Sequence, residues 1–164
     1  MLTTERLILR SAEMRDLDDL HAIMRDPRAM TYWSTLPHPD VDTTRTQLAK
    51  MTARAAPVTY FMFEHDGRVI GMGGMHDRNE IGYILHPDYW RQGFLREAMG
   101  AIIPYLWETT PHATLFADTD PRNAASIGLL QALGFLESGR AARTYCVDGI
   151  WADSVYFTLA RPTD

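Results

Sequence analysis

Two hydrophobic periods alternate along the chain. Leu7 to Ser11 alternates apolar and polar residues, the period of a half-buried strand, and Met14, Leu17, Leu20 and Met24 then fall on one helical stripe. Asp26-Pro27 predicts the end of that helix, because the residue before a proline is pushed out of the helical region. Tyr32 to Asp40, with Pro37, Pro39 and two aromatic rings, reads as an ordered loop leading into a second helix near Thr43 to Ala53. The period then becomes that of strands: Val58 to Glu64, an Asp66-Gly67 hairpin turn, Val69 to Met75, and Glu80 to Leu85. Leu95, Ala98, Met99, Ile102 and Leu106 share the face of a third helix, in which Pro104 predicts a bend. A strand at Thr114 to Ala117 follows. Asp120-Pro121 reads as the cap and first residue of a fourth helix, with Ile127, Leu130 and Leu133 as its stripe and Gly134 as its end. Glu137 to Val147 and Trp151 to Ala160 flank Asp148-Gly149 as a closing hairpin.

This order, βααβββαβαββ, predicts an α/β (mixed α+β) fold: one mixed, mostly antiparallel sheet of about seven strands flanked by four helices. The 164 residues contain no repeat, low-complexity tract or linker, so residues 1–164 are expected to form a single domain. With 46% hydrophobic and 23% charged residues, the composition excludes disordered, coiled-coil and collagen-like classes. A net charge of -5 argues against a nucleic-acid partner, which would need a basic excess. No apolar run approaches a membrane span, so no membrane association is expected. The lone Cys146 rules out an intrachain disulfide, suits a reducing cytoplasm and reads as a small buried hydrophobe. Six scattered histidines without ligand spacing predict no metal.

The strongest chemical signal is the Gln92-Gly93 turn opening the third helix. A helix start presents unpaired N–H groups and the positive end of its dipole, and glycine lets a pyrophosphate come close. By itself such a turn is more often only a turn. Gly71-Met72-Gly73-Gly74 lacks dinucleotide spacing and precedes no helix, so it reads as close strand packing.

Taken together, the segment from Glu80 through Ile81-Gly82-Tyr83-Ile84-Leu85-His86-Pro87-Asp88-Tyr89-Trp90-Arg91-Gln92-Gly93 to Ala98 resembles the acetyl-CoA-binding core of GNAT-superfamily N-acetyltransferases. Asp120-Pro121-Arg122-Asn123-Ala124-Ala125-Ser126, continuing to Leu133-Gly134-Phe135, resembles that family's second cofactor segment. The opening Thr4-Glu5-Arg6-Leu7-Ile8-Leu9-Arg10 and the closing Asp148 to Asp153 are similar to its Rim branch, which includes ribosomal-protein N-terminal alanine acetyltransferases. The four motifs cover nearly the whole chain in order.

The resemblance implies transfer of an acetyl group from acetyl-CoA to a primary amine, of a peptide N-terminus or a small molecule, without a covalent enzyme intermediate. It implies that acetyl-CoA (coenzyme A) is held by Ile84, Leu85, Gln92, Gly93, Phe94, Leu95, Arg96, Asn123 and Ser126, with Ser126 as general acid. Glu80 is the candidate general base, with an exposed strand-start glutamate as the equal alternative; His76, Asp118 and Asp120 are reserves. Tyr32, Trp33, Tyr83 and Trp151 are candidate acceptor contacts, since rings hold organic amines by packing and cation-π attraction. A homodimer is compatible with this reading. Three positions depart from the family pattern: Trp90 in place of Gln or Arg, Leu95 in place of a small residue, and Leu130 where many relatives carry a tyrosine acid. These leave a catalytically silent CoA-binding module as the rival expectation.

Overall fold

The computed structural model describes residues 1–53 and 56–163, with Asp77 described by its backbone only. Its strands are β1 (Leu2–Thr3), β2 (Ile8–Arg10), β3 (Tyr60–His65), β4 (Arg68–Asp77), β5 (Glu80–Leu85), β6 (Thr114–Thr119), β7 (Leu136–Val147) and β8 (Ile150–Ala160). Its helices are α1 (Leu17–Met24), α2 (Val41–Thr52), α3 (Phe94–Thr109) and α4 (Ala124–Ala132). The strands form one sheet in the order β1-β2-β3-β4-β5-β6-β8-β7, one strand more than the sequence pattern predicts because Leu2–Thr3 adds a short edge.

Two hairpin turns are set by local chemistry. Asp66 and Gly67 both take positive φ, 49° and 76°, as do Asp148 and Gly149 at 50° and 77°. This is the conformation whose twist matches the flanking strands and for which Asp-Gly is suited. Every neighbouring pair is antiparallel except β5 and β6.

The sheet buries both faces. On one, Phe94, Ala98, Met99, Ile102 and Leu106 of α3 and Leu130 of α4 pack on Phe61, Phe63, Ile81, Leu115 and Phe157. On the other, Leu17, Leu20, Ile23 and Met24 of α1 and Leu48 of α2 pack on Met62, Met72 and Ile84. Each such side chain except Ala98, which buries only a methyl, contributes roughly 1.5–3 kcal/mol relative to exposure. Residues of β5 therefore alternate between an α3/α4-side core and an α1/α2-side core, and that alternation fixes what each can reach.

Helix α3 runs unbroken through Pro104, which lies on its exposed face. With no N–H, Pro104 cannot donate to the Gly100 carbonyl four residues back, and the helix continues through it. Two expectations are corrected. Asn123, not Asp120, caps α4: its side chain accepts the Ser126 N–H at 3.1 Å, while Asp120 is held by Arg122. Cys146 is exposed, because β7 is an edge strand with one long side open to solvent.

The opening Arg10 is structural. Its guanidinium bonds Asp16 through two nitrogens at 2.7 and 2.9 Å and Glu64 at 2.6 Å. The hydrogen bonds to Asp16 lead in raising its pKa, and the network ties β2 and β3 to the start of α1.

Candidate active site

The site begins where two parallel strands part. β5 and β6 share one paired position, Glu80 with Phe116, reinforced by Phe116 N–H to Asn79 O at 2.9 Å and the Asn79 amide to Thr114 O at 3.0 Å. Beyond it β6 continues to pair with β8 as far as Thr119 while β5 runs on to Leu85, so the two edges splay. His86 N–H donates to Ile70 O at 2.8 Å, so His86, Ile84 and Gly82 turn their backbone groups toward β4. The alternation of an antiparallel ladder then turns those of Tyr83 and Leu85 into the splay. Ile84 gives its backbone to β4 and its side chain to the α1/α2 core, and Tyr83 occupies the edge position beside it. The Leu85 carbonyl is already engaged: Trp90 Nε1–H donates to it at 2.9 Å, which gives the departure at Trp90 a local role.

At the wide end of the splay lies the start of α3. Gly93 stands at φ 83°, a left-handed conformation that disfavours any side chain, and Glu97 N–H closes the first turn on Gly93 O at 3.0 Å. The N–H groups of Phe94, Leu95 and Arg96 are left without an acceptor among the described residues, and no side chain caps them. Arg91 and Arg96 stand exposed beside them with no ion-pair partner among the described residues, whereas the Gln92 side chain turns back to Asp88 O at 2.9 Å. Free N–H donors, a helix dipole and two cations make an anion site.

The narrow end opens into a cavity of about 570 Å³ that brings together Glu80, Tyr83, Asn123, Ser126, Tyr32 and Trp33. Tyr83 reaches from β5 to α4, its hydroxyl 2.8 Å from Ser126 Oγ. Gly73 opposite makes this placement feasible, since a Cβ there would sit 2.8 Å from that of Tyr83. Burial pushes the Tyr83 phenol up to about 12, with the Ser126 contact opposing it, so the pair holds its protons at neutral pH. Asn123 uses its side-chain oxygen as the helix cap and leaves its amide nitrogen without a partner among the described residues. Leu130 lines the same cavity and is nearly fully buried.

Three acidic groups line the cavity, Glu80 from β5, Asp118 from β6 and Asp120 just after it. Glu80 Oε1 lies 3.8 Å from His76 Nε2, and both are part-exposed. Asp118 accepts a hydrogen bond from Ser154 Oγ–H at 2.9 Å, and Thr144 Oγ1 lies 2.7 Å from the same serine. Desolvation pushes the Asp118 carboxyl up, against the pull of Ser154. Asp120 is held low by its hydrogen bonds with Arg122, whose Nη2 is 2.6 Å away. Burial, then the charges of Asp120 and Asp118, push the Tyr145 phenol up. Tyr145 and Lys50 also line the cavity, and sequence reasoning did not single out either. Trp151 is not brought in: it is half-exposed on β8, with Arg143 stacked 4.9 Å over its ring.

A family model described as Acetyltransferase (GNAT) domain matches residues 6–136. The chain belongs to the GNAT acetyltransferase family. It is 32% identical to the uncharacterized N-acetyltransferase p20 of Bacillus licheniformis, over 98% of this chain and 96% of that one. It is 28% identical to the ribosomal protein uS5-alanine N-acetyltransferase of Escherichia coli, over 98% and 91%. Among solved structures, a GNAT-family acetyltransferase from Bacillus anthracis superposes with a TM-score of 0.85 at 23% identity, covering 97% of each chain. Spermidine N-acetyltransferase from Vibrio cholerae, in complex with CoA and spermine, superposes at 0.81 and 21% identity, covering 94% and 95%.

This GNAT member is therefore an acetyl-CoA-dependent N-acetyltransferase acting on an amine. Its own residues fit the co-substrate: the unpaired donors of Phe94 to Arg96 suit a diphosphate, and the open edge of β5 suits an amide-bearing arm. Among the described residues no helix is long and apolar enough to cross a membrane.

Proposed function

We propose that the acceptor is the free N-terminal amine of a peptide or protein, deprotonated by Glu80, with Tyr83 and Ser126 acting together as proton donor. The charge balance of the cavity carries this reading. Of its three carboxylates, Asp120 is already neutralised by Arg122, and Lys50 brings a positive charge to the same space. Glu80, beside His76, and Asp118, bonded by Ser154, have no arginine or lysine ion pair among the described residues; they suit one ammonium and match poorly a polyamine with several. Peptide N–H and C=O groups would find partners in Gln47, Ser34 and Thr119, and Tyr32 and Trp33 offer ring faces at the rim. The full-length likeness to a ribosomal-protein alanine acetyltransferase supports the same class.

Bound acetyl-CoA supplies a thioester carbonyl as electrophile and a thiolate as leaving group. The acceptor nitrogen gains the acetyl carbon as the carbon–sulfur bond breaks, the nitrogen's proton passes to Glu80, and the sulfur takes one from Ser126 Oγ. When Tyr83 O–H donates to Ser126 Oγ, the serine hydrogen is free to face the cavity and its proton can be replaced from the phenol. Thiol release from acetyl-CoA, measured over alanine- and serine-initiated peptides, spermidine and free amino acids, tests the proposal. A higher kcat/KM for peptides supports it, and a preference for spermidine contradicts it.

A further inference from the structure

The contacts of Arg6 were not anticipated from its place in the opening motif. Its Nε donates to Glu97 Oε2 at 2.7 Å, its Nη2 lies 2.6 Å from the same oxygen, and its backbone N–H donates to Glu97 Oε1 at 2.8 Å. Its Nη1 donates to Gln92 O at 2.9 Å, and its guanidinium stands 4.2 Å over the Phe94 ring. Thr4 Oγ1 completes the set on Glu97 Oε1 at 2.5 Å. The opening segment thus clasps the first turn of α3, the turn whose free N–H groups form the anion site.

Glu97 poses an electrostatic problem there. A carboxylate in the first turn favours the helix dipole, yet it opposes any second anion drawn to the same N–H groups. Burial pushes Glu97 up, but the bonds from Thr4 and Arg6 outweigh it and hold the carboxyl below its usual range, so the charge is present at neutral pH. Arg6 is the cation that cancels it: the three hydrogen bonds to Glu97 among the described residues come from Thr4 and Arg6, and the Arg6 Nη2 ion pair completes the fork.

We propose that Arg6 is a positioning residue for diphosphate recognition, acting by neutralising Glu97 and by holding the Gln92 carbonyl away from the anion site. The proposal rests on the reading that the start of α3 takes the diphosphate of coenzyme A. It explains why a strand lead-in far away in sequence carries an arginine at this point.

Titration calorimetry with coenzyme A, and with pantetheine as a ligand lacking the diphosphate, tests it on R6M, E97Q, R6M/E97Q and R6K. R6M should weaken coenzyme A by about tenfold and leave pantetheine unchanged, while R6M/E97Q should recover to within about threefold of the parent. R6K, which keeps the charge, should also stay within about threefold. Equal weakness in R6M and R6M/E97Q, or an equal loss for pantetheine, overturns the proposal. If R6M does not fold, R6K and E97Q decide: a tenfold loss in R6K, or a comparable loss in E97Q, overturns it. Failure of the parent protein to bind coenzyme A would instead refute the reading of the α3 turn itself.

Discussion

Removing one oxygen, Tyr83→Phe, separates the proton-donor role from packing. The ring stays between β5 and α4, and the hydroxyl's 2.8 Å contact with Ser126 Oγ is lost together with its long 3.5 Å contact to Ser126 O. One such hydrogen bond is worth about 1 kcal/mol of stability, so melting should fall by a few degrees. The catalytic cost should be larger. A phenol near pKa 12 is ionised in about one molecule in ten thousand at pH 8, so it stands ready as a donor, and a positioned general acid contributes about 10²–10⁴ in rate. Because Tyr83 passes its proton through Ser126, Ser126→Ala and the double variant should cost about as much as either alone, as residues acting as a unit do. Steady-state thiol release with saturating peptide should show kcat reduced about 100-fold in Y83F, with the Kd for coenzyme A changed less than threefold. Unchanged kcat in Y83F, or a double variant showing the product of the two single losses, refutes the relay.

Other outcomes follow from the same geometry. Gly93→Ala forces a side chain to a φ of 83° at a strain of about 1–2 kcal/mol, so coenzyme A binding by calorimetry should weaken about tenfold while the fold persists. Glu80→Gln should lower kcat about 100-fold at neutral pH and recover in part as pH rises and the acceptor amine deprotonates unaided; a flat ratio to the parent across pH would exclude Glu80 as base. Glu97 has a folded pKa below the usual 4.5, so the unfolded chain binds its proton more readily; the stabilisation is complete above that value and disappears as pH falls through the lowered one. Melting curves should therefore lose stability below pH 4.5 more steeply in the parent than in E97Q.

The elements that periodicity defines best were the ones legible in the sequence. The α3 stripe and the two Asp-Gly hairpins lie where pattern and turn chemistry put them, because each rests on contacts within a few residues. Local readings misplaced the α4 cap: Asp120-Pro121 has the right residue types, but Arg122 takes the carboxylate and Asn123 does the capping. Exposure of Cys146 and Trp151, paired partners near the end of the β7–β8 hairpin, goes with that hairpin running past its last β6 pairing at Val155, a property of strand order and register that spacing does not carry. Gathering Glu80, Tyr83 and Ser126 in one cavity was reachable only through the family resemblance, since the splay of β5 from β6 is a long-range event. Tyr145, Lys50 and the Arg6–Glu97 clasp left no signal in the chain, because their partners lie many residues away.

The central claim is that the open edge of β5 and the uncapped start of α3 together receive acetyl-CoA and direct its thioester at Glu80 and Ser126. Backbone amide chemical shifts recorded as coenzyme A is titrated test it directly. Saturable shifts concentrated at Tyr83, Leu85 and Gly93 to Arg96, with smaller ones at Asn123 and Ser126, are the predicted result. Absence of saturation, or shifts confined to other faces of the sheet, would contradict the account.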